Sequence, residues 1–279
     1  MPELPEVETI VRNLREDGHF SLPGRQIQSV NLLWDRTLAF PDRKDFLAHL
    51  PGRRITGVER RGKYILIYMD QGCLLIHLRM SGDVRVEPSL DESGGKRVPA
   101  LHDRLLLFFE DKTRLVFNDT RKFGRIWLVN SPDQVLQGLG PEPLADNFTA
   151  SLMAERLQKH RRQIKPLLLD QSFITGMGNI YTDEALHLAG IHPARQSDTL
   201  TDEEVTRLWA SIRHVLLEGI RHNGSSIDWV YRGGGFQNYF RVYQRAGEPC
   251  PVCGTKIVRV VVGQRGTHFC PVCQPLEKN

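Results

Sequence analysis

Position 2 is a proline and position 3 a glutamate, in the opening Met1-Pro2-Glu3-Leu4-Pro5-Glu6-Val7-Glu8. A small residue at position 2 permits removal of the initiator methionine, which would leave Pro2 with a free secondary amine. Such an amine can attack a carbonyl-type carbon and form an iminium, and a carboxylate one residue away can move the protons this requires. A local reading competes: Pro5 suits a first helical turn, and Glu6 and Glu8 suit the positive end of the helix dipole. Val7, Ile10, Val11 and Leu14 recur at helical spacing, so residues 2 and 3 are expected to be pinned beside a docked amphipathic helix.

The second chemical signal is at the other end. Cys250-Pro251-Val252-Cys253 and Cys270-Pro271-Val272-Cys273 are separated by sixteen residues. Two such knuckles bring four thiolates tetrahedrally around one zinc ion. Four thiolates leave no open position, so the ion is expected to be structural, with no organic cofactor. A disulfide framework is the competing reading, and it does not suit a chain expected to be cytoplasmic. Cys73 lies in the apolar run Cys73-Leu74-Leu75-Ile76 and reads as a core thiol.

The net charge of +4 is a weak argument for a polyanionic partner. Its distribution says more. Residues 52–63 carry Arg53, Arg54, Arg60, Arg61 and Lys63 against Glu59, and residues 156–165 carry five cations and no acid. Residues 241–279 hold six Lys/Arg against two Glu. Folded together, three such clusters would form a polyanion-binding surface; singly, each is an ordinary solvated face. No apolar run is long enough to span a bilayer and no signal peptide is visible, so the expectation is a soluble protein.

The 279 residues suggest two domains. Residues 27–130 read as β-rich: Ile55 to Met69 alternates, Leu74–Leu78 is a short apolar run, and Leu105–Phe109 and Arg114–Phe117 flank a turn. Ile126–Val129 closes the set, which suggests a two-layer sandwich. Pro88 to Pro99 reads as an exposed loop. A linker is marked by Gly138-Leu139-Gly140-Pro141-Glu142-Pro143. Helices are expected over Ser151–His160, Ile164–Leu169, Ile180–Leu188 and Thr201–His222, the last with a capping box at Thr201 and a stop at Asn223-Gly224. Residues 224–241 mix glycines with Tyr231, Phe236, Tyr239 and Phe240 and read as a loop able to close. Gly176-Met177-Gly178-Asn179, before a helix, could offer free N–H groups to a phosphate. Between the cysteine knuckles, Ile257–Val262 and Thr267–Phe269 read as a hairpin with Arg265 at its tip.

Four stretches, in order, resemble the bacterial formamidopyrimidine-DNA glycosylase family: Pro2 to Thr9, Asp119-Thr120-Arg121-Lys122-Phe123-Gly124, Gly178-Asn179-Ile180-Tyr181 and the four-cysteine finger. The resemblance runs from residue 2 to residue 273. It implies an α+β chain: an N-terminal β-sandwich flanked by helices, then a helix–two-turns–helix domain and a zinc-finger hairpin. The boundaries expected are 1–137 for the sandwich, 138–150 for the hinge, 151–241 for the helical domain with its lesion-capping loop, and 242–279 for the finger.

The resemblance also implies an activity, that of a DNA repair enzyme that excises oxidised purines from double-stranded DNA and then nicks the abasic site. Pro2 would be the nucleophile, Glu3 the acid/base, Lys63 the β-elimination lysine and Arg265 the finger arginine that binds phosphate and serves δ-elimination. Met80, Arg121 and Phe123 would fill the gap left by the extruded base, and His77, His102, Arg161 and Asn179 would contact phosphates. Arg162 or Lys165 could align in place of Arg161. Thr120 and Thr182 depart from the residues expected there, Pro and Ala, and remove no reacting group. Two other readings are the sibling endonuclease VIII branch, which prefers oxidised pyrimidines, and a non-enzymatic DNA-binding protein with a zinc ribbon. A monomer is expected.

Overall fold

The computed structural model describes residues 1–16, 18–226 and 233–276. Residues 227–232 of the glycine- and aromatic-rich stretch, Tyr231 among them, lie outside the described residues, as do 277–279. By contact the described chain divides into two compact units. One comprises Met1–Pro2 and Glu6–Gln137; the other comprises Glu3–Pro5, Gly138–Ser226 and residues 233 onward.

The first unit is the sandwich. Helix α1 (Leu4–Glu16) is followed by strands β1 (Ile27–Leu32) and β2 (Leu38–Phe40), helix α2 (Arg43–His49), and strands β3 (Ile55–Arg61), β4 (Tyr64–Met69) and β5 (Cys73–His77). Strands β6 (Gly82–Pro88), β7 (Asp103–Phe109), β8 (Thr113–Asp119) and β9 (Arg125–Val129) and the short helix α3 (Asp133–Leu136) complete it. One sheet has the order β1-β7-β8-β6, the other β2-β9-β5-β4-β3. The apolar face of α1 (Val7, Ile10, Val11, Leu14) joins one core with Phe46 of α2 and the inward residues of both sheets, among them Ile65, Ile67, Leu105 and Phe117.

The alternating run from Ile55 to Met69 resolves into two strands joined by the two-residue turn Gly62-Lys63, with Arg61 opposite Tyr64. Gly62 sits at φ +57, which is what the first position of such a hairpin turn demands. Lys63 is thereby placed at a turn rather than within a strand. The sequence reading of 27–130 as strands alone missed α2, whose start is capped by the Asp42 carboxylate on the Asp45 N–H at 2.9 Å. Cys73 is buried in β5, and burial, with Glu59 adding to it, pushes its thiol up to about 12, so it is inert.

The second unit is helical apart from one hairpin. Helices α4 (Ala150–Gln158), α5 (Ile164–Leu169), α6 (Asn179–Ala189) and α7 (Asp202–Arg221) precede strands β10 (Val258–Val262) and β11 (Arg265–Phe269). The capping box of α7 is present, with Thr201 and Glu204 bonded reciprocally. Asn223 and Gly224 end it with φ of +57 and +76. Trp209 of α7 donates its indole N–H to the Phe148 carbonyl at 2.7 Å, and Arg213 donates to the carbonyls of Pro143 and Ala145. The long helix thus holds the irregular stretch ahead of α4. Among the described residues no helix is long and apolar enough to cross a membrane.

Phe46 is completely buried in the sandwich core. Phe46→Ala is expected to cost about 3–5 kcal/mol of stability, read as a fall in the urea midpoint with an unchanged slope.

Candidate functional site

Helix α6 organises the second unit. The N–H groups of Ile180 and Tyr181 in its first turn donate to the two oxygens of the Glu3 carboxylate at 2.9 and 3.3 Å. Glu3 is 2 % exposed, so these bonds replace water for a buried carboxylate at the positive end of a helix. The glycine-rich turn ahead of α6 was expected to offer N–H groups to a phosphate; the Ile180 and Tyr181 N–H groups are instead taken by the chain's own Glu3. Gly178 is what admits it, because a Cβ at that position would lie 2.2 Å from the Glu3 carboxyl carbon. The Leu4 N–H bonds the Gly176 carbonyl at 3.0 Å and fixes the segment behind it.

Farther along α6, Asp183 accepts from Lys165 Nζ at 2.6 Å and from the His268 N–H at 2.9 Å. Lys165 also donates to the Gly266 carbonyl at 3.0 Å. Burial pulls the Lys165 ammonium down from its usual range, while Asp183 pushes it back up. Glu184 accepts the N–H groups of Arg241, Val242 and Tyr243 at 2.8, 3.0 and 2.8 Å, which pins the chain beyond the glycine-rich stretch.

The cations weighed for a phosphate contact now separate. Lys165 is wholly buried in its ion pair and cannot reach a ligand outside. Arg162 pairs with Asp170 at 2.8 Å. The Arg161 side chain is 87 % exposed and lies 4.0 Å from Asp198. Asn179 donates its Nδ2–H to the Gly266 carbonyl at 3.1 Å, and its Oδ1 is buried without a partner. Asn179 and Lys165 thus grip the same carbonyl, immediately after Arg265. Arg265 itself is exposed. It is not at the hairpin tip as expected but opens β11 opposite Val262, the tip being Gly263-Gln264.

Cys250, Cys253, Cys270 and Cys273 bring their four Sγ atoms within 4.8 Å of one another. The Cys250–Cys273 and Cys253–Cys270 pairs are 3.8 and 3.4 Å apart. Thiolates about 2.3 Å from a tetrahedral zinc stand roughly 3.8 Å apart, so the cluster fits one structural ion with all positions filled.

In the first unit, Pro2 is buried and Lys63, 5 % exposed, sits in the β3–β4 turn. Tyr64, its neighbour, pairs across the ladder with His77 and meets that ring edge-on with centroids 4.6 Å apart. Burial, then the charges of Arg79 and Lys63, hold His77 down to about 3. The ring is therefore neutral. Its Nδ1 accepts from the Arg79 N–H at 3.0 Å, which leaves the proton on Nε2 as a donor.

Met80, Arg121 and Phe123 are brought together by a residue that sequence reading treated only as part of a motif. Asp119 is completely buried and its carboxylate accepts from Ser81 Oγ, from the Arg121 N–H at 3.2 Å and from the Gly124 N–H at 2.7 Å. Its backbone N–H donates to the His102 carbonyl at 2.9 Å, and its carbonyl accepts from Arg104 Nε at 2.8 Å. One buried residue thus ties down the turns carrying Met80, Arg121 and Phe123 through its carboxylate and the turn carrying His102 through its backbone N–H. Met80 and Phe123 project, 39 % and 52 % exposed, which sets aside ordinary core packing for both. The Arg121 guanidinium lies 5.5 Å from the Phe123 ring centre. Between them Lys122 takes φ +62 and lays its ammonium 4.0 Å from the centre of the Trp34 ring, an anchor the sequence did not reveal.

Three family models match in chain order: the formamidopyrimidine-DNA glycosylase N-terminal domain over residues 1–126, the H2TH domain of the same enzyme over 139–230, and a zinc finger found in FPG and IleRS over 247–276. The formamidopyrimidine-DNA glycosylase of Chloroflexus aurantiacus is 48 % identical over 98 % of both chains. A structure of MutM in complex with DNA containing carbocyclic 8-oxo-G is similar with a TM-score of 0.88 and 38 % identity, over 98 % of this chain and 100 % of that one. The wild-type Lactococcus lactis Fpg (MutM) in complex with DNA containing an oxidised pyrimidine has the same TM-score and identity, again over 98 % of this chain and 100 % of that one.

The neutral His77 gives a pH signature. The unfolded state takes up a proton on this ring below about pH 6.5, while the folded state resists until about 3. The stability it contributes is therefore present above 6.5 and lost as the pH falls toward 3, on the order of a few kcal/mol. Urea midpoints from pH 7 to 4 should fall more steeply for wild type than for His77→Gln. Parallel curves would contradict the assignment.

Proposed function

The chain belongs to the formamidopyrimidine-DNA glycosylase family, and from that premise we propose a bifunctional glycosylase and AP lyase acting on oxidised purines in double-stranded DNA. The observation that carries the reading is the Glu3 carboxylate, buried and fixed by two backbone N–H groups, one residue from Pro2. After loss of Met1, the Pro2 amine attacks C1′ of the damaged nucleotide, and the glycosidic bond breaks with its electron pair leaving on the base. Glu3 takes the proton that the alkylated Pro2 nitrogen loses and passes it to the sugar ring oxygen as the ring opens, which leaves an iminium between Pro2 and C1′. The iminium acidifies the C2′ hydrogens. Removal of one expels the 3′ phosphate, and a second elimination expels the 5′ phosphate. Lys63 serves the first of these eliminations and Arg265 the second.

The exposed Met80 and Phe123 and the adjacent Arg121 are the groups to occupy the gap when the base is flipped out. The apolar pair wedges into the stack and Arg121 donates to the orphaned cytosine. His77 through Nε2–H, with His102, Arg161 and Asn179, contacts phosphate. Zinc keeps the finger folded and takes no part in the chemistry. The protein works as a cytoplasmic monomer on bacterial DNA. The complex of the L. lactis relative with an oxidised pyrimidine favours a second reading, in which pyrimidine lesions are also accepted.

Borohydride trapping on duplexes with one 8-oxoguanine opposite cytosine tests the proposal. Wild type should give a covalent adduct mapping to Pro2 together with nicked product, and Pro2→Gly or Glu3→Gln should lose at least about 10²-fold in nicking rate. An adduct only on a thymine-glycol duplex would move the protein to the pyrimidine branch. Tight binding without any adduct would leave a zinc-ribbon DNA-binding protein.

A further inference from the structure

The C-terminal half of α6 carries a contact that the proposed chemistry does not use. His187, 4 % exposed, places Nε2 3.4 Å from Cys250 Sγ. Its Nδ1 is buried without a partner. A neutral imidazole has a single N–H, so only one of two arrangements exists. With the proton on Nδ1, a buried donor would be orphaned and the Nε2 lone pair would face the sulfur of a zinc thiolate. With the proton on Nε2, the donor meets the thiolate and the orphan is only a weakly demanding acceptor.

The surroundings point the same way. Cys250 Sγ already accepts the Val252 N–H at 3.5 Å, a bond within its own knuckle, and His187 adds one from outside it. The second knuckle is also tied to the end of this helix. The fully buried Gln274 accepts the Cys270 N–H at 3.0 Å and donates to the carbonyl of Ile191, just beyond α6, at 2.9 Å.

We propose that His187 is a positioning residue of the zinc centre, donating Nε2–H to the Cys250 thiolate and coupling the first knuckle to the helix that holds Glu3. Groups that hydrogen-bond a metal's ligands set metal retention as well as ligand orientation. A hydrogen bond to a thiolate lowers the energy of its sulfur electrons, so its loss must show in the metal–sulfur spectrum. Mere packing would not move that signal.

Cobalt-substituted protein provides the readout. His187→Phe should shift the thiolate-to-cobalt charge-transfer band to longer wavelength, and zinc should pass to a chelator about tenfold faster than from wild type. His187→Gln, which keeps an N–H donor, should restore the band position. Wild-type band and release rate in His187→Phe would overturn the proposal. Nitrogen-15 histidine spectra of the wild-type cadmium-substituted protein need no variant to fold. The proton should reside on His187 Nε2, with scalar coupling to cadmium across the hydrogen bond, and a proton on Nδ1 would overturn the assignment. Neither measurement involves DNA, so their outcome stands apart from the glycosylase reading.

Discussion

A buried helix that carries charge has to find a partner for every charge, and α6 is built around that constraint. Asp183, Glu184 and His187 are all buried along its length, and Glu3 is buried against its first turn. Each carboxylate left bare would cost several kcal/mol, so each one selects a piece of chain and fixes it. Glu3 selects the helix N-terminus, Asp183 selects Lys165 and the base of the zinc hairpin, and Glu184 selects three successive N–H groups at Arg241 to Tyr243. Severing such a pair typically costs about 3–5 kcal/mol because the remaining charge stays buried. The polar interior of this unit is therefore a set of addresses. The neutral groups are less completely matched: the hydroxyls of Thr175 and Thr182, Asn179 Oδ1 and His187 Nδ1 are buried without a partner.

The sandwich uses the same device at Asp119 and at Asp103, which accepts from the Ala100 N–H and from Asn118. The Asp119 carboxylate ties Ser81 to the backbone at Arg121 and Gly124, and the exposed Met80, Arg121 and Phe123 inherit their positions from it. Exposed side chains gain little precision from packing, so theirs has to come from the backbone beneath them. Lys122, in a left-handed conformation and laid on Trp34, contributes to the same rigidity.

These arrangements explain what could and could not be read from the chain. Amphipathic periodicity marked α1 and α7, turn residues marked the β7–β8 hairpin, and the cysteine spacing marked the zinc centre, because each is a local pattern. Helix α2 was hidden by its shortness among strands. The zinc site was legible as residue types at the four cysteines. Pairings between residues a hundred or more positions apart were not, such as Glu3 with Ile180 or Lys165 with Gly266. For the same reason a glycine-rich turn suggested an external anion when the anion was 175 residues upstream in the same chain, by the difference between positions 3 and 178.

The central claim is that the opening of the second unit exists to hold the Glu3 carboxylate, and Gly178→Ala tests it most directly when combined with Glu3→Gln. The added methyl would contact the Glu3 carboxyl group and leave α6 otherwise unaltered. Nicking rates on an abasic-site duplex should fall about 10²-fold in Gly178→Ala, with zinc content and helical signal retained. In the Glu3→Gln background the same change should cost almost nothing further. Losses that multiply in the double variant would mean that Gly178 serves something other than Glu3, and would contradict the account.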